Sequence, residues 1–91
     1  MMPEADPNPD EQLRTRIIQA LALDEHIASL NLRVGVLNEI VHLAGQAPSL
    51  DIWNLTERIV LDVTGVRGVV NRIEAPGAPL PMRTIHLDLP P

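Results

Sequence analysis

Few side chains in this chain stand at spacings that could do chemistry. His26, His42 and His86 lie in three separate stretches without the short-range pattern of a metal site, and no cysteine accompanies them. No Ser/His/Asp grouping or spaced carboxylate pair stands out from ordinary surface charge, so no catalytic residue, metal or cofactor is expected. Gly65-Val-Arg-Gly68 has the G-x-x-G spacing of a nucleotide-clamping loop. Such a loop joins two helices, whereas here a helix stop and the start of a strand account for both glycines. What remains is binding chemistry. Trp53, the only aromatic residue, lies with Val60 on the flank of a helix, roughly 110° and 90° from that helix's main apolar stripe at about 100° per residue, either as a rim residue covered by the domain's own loop or tail or as an anchor for a partner or lipid headgroup region. Arg58, Arg67 and Arg72 fall near the end of the same helix and on the following strand, as solvated charge or as a phosphate or headgroup contact. These five residues form the candidate partner- or lipid-binding set.

The elements that must position them follow from periodicity. Asn8-Pro9-Asp10-Glu11 reads as a helix start, with Asn8 accepting from the third helical amide, Pro9 in the first turn, and Glu11 reaching back. Leu13, Ile17 and Leu21 then recur on one helical face, and the helix fades by Leu23 into a loop or irregular turn. From Leu30 the period becomes two. Leu30, Leu32, Val34 and Val36 alternate with Asn31, Arg33, Gly35 and Leu37, and after Asn38-Glu39 the alternation resumes as Val41 and Leu43 against Ile40, His42 and Ala44. A two-residue hairpin wants positive φ and usually glycine, so Glu39 predicts a longer or distorted turn.

Ser49 or Asp51 caps a second helix running to about Val63, with Ile52, Leu55, Ile59 and Val63 as its core stripe. Gly65 supplies a left-handed stop, and Val66 to Glu74 forms a third strand whose mixed parity predicts a bulge or an edge position. After a Pro-rich spacer, Arg83 to Leu89 alternates again. Ile85, Leu87 and Leu89 make it an association strand that needs an edge, in its own sheet or that of a second copy.

An αββαβ order in which every element has one apolar face predicts an α+β two-layer sandwich. A three-stranded mixed sheet carries two helices on one face, with the C-terminal run as a possible additional strand. The other face of the sheet stays open, carrying Arg33, Ile40, His42, Arg72 and a gap at Gly35. Nine prolines concentrate at the two ends, which divides the chain into a Pro/acid-rich tail at 1–9, a folded part at 10–75, and a linker with its strand candidate at 76–91.

Val34-Gly-Val-Leu-Asn-Glu-Ile-Val41-His-Leu-Ala-Gly45 and Gly65-Val-Arg-Gly-Val69-Val-Asn71, with Leu13, Ile17 and Leu21 upstream, resemble a BON domain, the small bacterial module named for osmotic-shock and nodulation proteins. The resemblance covers residues 10–75 and rests on apolar positions together with Gly45, Gly65, Val66 and Asn71. It implies a binding module, not an enzyme, with a phospholipid membrane surface or an envelope-associated protein as partner. The alternative is a self-associating scaffold or regulatory subunit, a homo-oligomer joined through its sheet edge and C-terminal strand. A net charge of −5, with every basic residue an arginine, argues against nucleic acid and against anionic bilayers unless the arginines cluster. Met1 to Glu11 has neither a basic start nor an apolar run, so the expected location is cytoplasmic, unlike the many relatives with export signals.

Overall fold

A computed structural model describes residues 8–79 and the backbone of residues 82–85. The first helix, α1 (Pro9–Ala22), starts where the sequence places it, although Asn8 Oδ1 accepts from the Asp10 amide at 2.7 Å and not from that of Glu11. Leu13, Ile17 and Leu21 are its buried residues. Past Leu23 the chain forms a separate short helix, α2 (Glu25–Ala28), where the sequence suggested only an irregular turn. Asp24 caps it by accepting from the His26 amide at 2.8 Å, and Ile27 anchors it in the core.

The hairpin β1 (Arg33–Leu37) and β2 (Ile40–Gln46) corrects the expectation of a longer or distorted turn. Its turn has two residues, and both are left-handed, Asn38 at φ 52° and Glu39 at φ 68°. Asp10 holds that turn from α1, accepting from the Asn38 amide at 2.9 Å and the Glu39 amide at 3.1 Å. A long-range carboxylate thus supports a backbone geometry that glycine would adopt unaided.

Helix α3 (Leu50–Leu61) is capped by Ser49, whose Oγ accepts from the Ile52 amide at 3.2 Å. Gly65 ends the segment at φ 102° as expected. Strand β3 (Gly68–Glu74) then lies parallel to β2, and β4 (Met82–Ile85) pairs antiparallel with β3 in the same chain. The four-stranded mixed sheet has the order β1-β2-β3-β4. Strand β3 is therefore interior from Gly68 to Asn71 and an edge from Arg72 to Glu74, and its continuous register with β2 leaves no bulge, which corrects that half of the expectation. Its parity looked mixed because buried residues lie on both sides: Val69 and Ile73 beneath the helices, and Val70, between His42 and Arg83 in the register, at 9% exposure on the other side.

Helices α1 and α3 pack on one face of this sheet and on each other. Leu13, Ile17, Ile27, Val41, Leu43 and Val69 form the centre of an aliphatic core. Gly45 permits a close approach: a β-carbon there would stand 2.9 Å from Leu32 Cδ2, on a backbone at φ 132°. Among the described residues, no helix is long and apolar enough to cross a membrane.

Candidate functional site

Helix α3 presents a different side to the sheet from the one its sequence stripe suggested. Trp53, Thr56 and Val60 are its buried residues, while Ile52, Leu55, Ile59 and Val63 are half-buried. Trp53 and Val60 stand roughly 20° apart around the helix at about 100° per residue. The helix packs on the sheet and beside α1, so its apolar arc serves two neighbours and the stripe read from sequence is one flank of it.

This placement corrects two of the candidate binding residues. Val60 is fully buried and Trp53 only 7% exposed, so neither is a surface anchor. The indole N–H of Trp53 donates to the Ile73 carbonyl at 2.8 Å, and Asn71 Oδ1 accepts from the Ile73 amide at 3.0 Å. Strand β4 pairs with β3 only from Gly68 to Asn71, so beyond that point two side chains take over the hydrogen bonding of the β3 edge. Asn71, itself buried, also donates to Glu57 Oε1 at 3.0 Å and ties β3 to α3.

The three arginines of the candidate set do not meet. Arg58 is exposed on α3. Arg67 sits at the hairpin tip, 3.8 Å from Glu39, with both side chains about half exposed. Arg72 lies on the open face of the sheet, where the register aligns it with Ala44 and, beyond that, with Arg33. Of the association strand, Ile85 lies in β4 opposite Gly68, while Leu87 and Leu89 fall outside the described residues.

No described helix covers that open face, and its rows run across the sheet. Leu37, Ile40 and Gly68 form an apolar row, followed by Gly35, His42 and Val70, then Arg33, Ala44 and Arg72, and finally Gln46 and Glu74. Leu37 is 63% exposed, and Arg33, His42, Arg72 and Glu74 are all exposed. Glu74 is the one carboxylate among the described residues of this face. Most acidic groups, Asp10, Glu11, Asp24, Glu25, Asp51 and Asp62 among them, sit on the helices and their caps. Among the described residues the helical side is thus acidic, with seven carboxylates on the helices and their caps against Arg14, Arg16 and Arg58, whereas the sheet face carries Arg33 and Arg72 against Glu74. Arg33 and Arg72 were legible as open-face residues from strand parity; their alignment across Ala44, one row from Gln46 and Glu74, needed the parallel β2–β3 register.

No group of histidines and carboxylates among the described residues could hold a metal ion. The BON domain family model matches residues 9–77, which takes in every element from α1 to β3 and leaves β4 beyond the match. The chain belongs to the BON domain family. That family is generally non-catalytic and associated with membrane or protein interactions. No curated protein matches the chain.

Proposed function

We propose that the chain is a non-catalytic module that docks on a phospholipid membrane surface through the open face of its sheet. One observation carries this: in an acidic chain, the exposed Arg33, Arg72 and Leu37 share the sheet face that no described helix covers, with Glu74 as its one described carboxylate. Arginine suits phosphate through paired N–H donors, and Leu37 with Ile40 supplies an apolar margin that a lipid interface accepts. Docking through a rigid sheet also needs no ordering of a loop on binding. The test is co-sedimentation of the intact protein with phospholipid vesicles. Retention that saturates with lipid supports the proposal, and a protein left wholly in the supernatant over every lipid composition contradicts it.

The rival expectation, a scaffold that associates through its sheet edge and C-terminal strand, draws less support. The β3 edge is taken by β4 of the same chain from Gly68 to Asn71, and beyond it the Ile73 carbonyl and amide are engaged by Trp53 and Asn71. On the remaining edge, β1, the Val34 carbonyl already accepts from Arg14 Nε at 2.8 Å.

A further inference from the structure

Docking on a membrane meets an electrostatic constraint in this chain. With a net charge of −5, the molecule as a whole is repelled by an anionic bilayer. The open face itself contains a feature that answers this. Where β1 begins and β2 and β3 end, the strands and the loop after α2 surround a cleft of about 550 Å³. Arg33 and Arg72 stand on either side of Ala44, and Gln46 and Glu74 close the next row. Among the described residues, none of the Arg33, Arg72 and Glu74 side chains makes a hydrogen bond or ion pair.

The spacing can be estimated from the sheet. Neighbouring strands lie about 4.8 Å apart, so two steps place the α-carbons of Arg33 and Arg72 about 10 Å from each other. Two arginine side chains can converge over the short Ala44 methyl from that separation. Glu74 follows Arg72 by two residues on the same strand face, about 7 Å along. Two guanidinium groups with one carboxylate beyond them suit a ligand that carries a phosphate and, a few bonds away, an ammonium. A purely anionic ligand would instead place charge against Glu74.

We propose that this cleft binds a zwitterionic amino-phosphate headgroup of the phosphoethanolamine type, the phosphodiester on Arg33 and Arg72 and the primary ammonium on Glu74. The assignment rests on the membrane-docking proposal and names its lipid. A headgroup without net charge also removes the long-range repulsion that the acidic helices would meet at an anionic surface.

The experiment compares vesicles of phosphatidylcholine alone, with added phosphatidylethanolamine, and with added phosphatidylglycerol. It uses the intact protein, the Arg33→Gln/Arg72→Gln pair, Glu74→Gln, and Arg16→Gln as a control from the exposed side of α1. Circular dichroism confirms that each variant is folded. The expected result is retention favoured by phosphatidylethanolamine, since phosphatidylcholine has no ammonium N–H to donate. That retention should fall about tenfold in Glu74→Gln and at least as far in the arginine pair, and stay unchanged in Arg16→Gln. Excess soluble phosphoethanolamine should compete for it. A preference for phosphatidylglycerol that strengthens in Glu74→Gln, or equal competition by inorganic phosphate, would overturn the headgroup assignment and leave docking intact. Undiminished retention of the arginine pair would move docking to another face. Retention on no vesicle would overturn both proposals.

Discussion

Asp10 commits both carboxylate oxygens to the hairpin turn, bridging the start of α1 to Asn38 and Glu39. Asp10→Ala would leave two exposed amides to water and remove an acidic group from the first helical turn, at a cost of about 1 kcal/mol by urea unfolding. Glu39→Gly acts in the opposite direction. A non-glycine residue at φ 68° carries strain of roughly 1–2 kcal/mol, offset in the glycine variant by about 0.4–1 kcal/mol of unfolded-state entropy. The exposed contact to Arg67 adds little. The variant should therefore be as stable as the parent or up to about 1 kcal/mol more stable, and a clear loss would mean that the turn is not strained there. Trp53 permits a second residue-scale check. Buried and bonded to Ile73, its emission should be blue-shifted in the native protein, shielded from acrylamide, and unmoved by vesicles; a shift on lipid addition would place it at the surface. At this scale the sequence was legible wherever one period decided the outcome, as for Leu13, Ile17 and Leu21 or for Arg33 and His42. It gave no sign of the turn contact of Asp10 and aimed Trp53 at the surface, because each completes its role on an element far along the chain.

Helix α3 shows why an apolar stripe can be read correctly as helical and still be aimed wrongly. Its apolar arc is wide enough to meet both the sheet and α1, and a centre drawn through Ile52, Leu55 and Ile59 falls on one flank. Substitution can separate the two orientations. Val60→Ala, at a fully buried position, should cost about 2 kcal/mol, whereas Leu55→Ala should cost only about 1 kcal/mol although it removes more carbon atoms. The reverse order would restore the orientation read from sequence. The sheet offers a parallel case. The expectation that the C-terminal run needs an edge holds for residues 82–85, which take the β3 edge of their own chain. Truncation after Pro79 should speed amide exchange in the β3 segment from Gly68 to Asn71 without changing the mass in solution. A fall to a smaller oligomer would instead show that β4 is exchanged between copies.

At the scale of the whole molecule, the two-layer order was legible because each layer shows its own period, and the open face followed from the presence of helices on one side only. The division of charge was not legible, since net charge sums over both layers and hides a basic face behind acidic helices. That division is what the account of function rests on. It is tested most directly by following backbone amide resonances while phosphatidylethanolamine-containing nanodiscs are titrated into the labelled protein. Perturbations should gather on Arg33, Gly35, His42, Ala44 and Arg72, with exposed α3 positions such as Asn54 and Arg58 unaffected. Perturbations centred on α3 or on α1, with the sheet face unchanged, would contradict it.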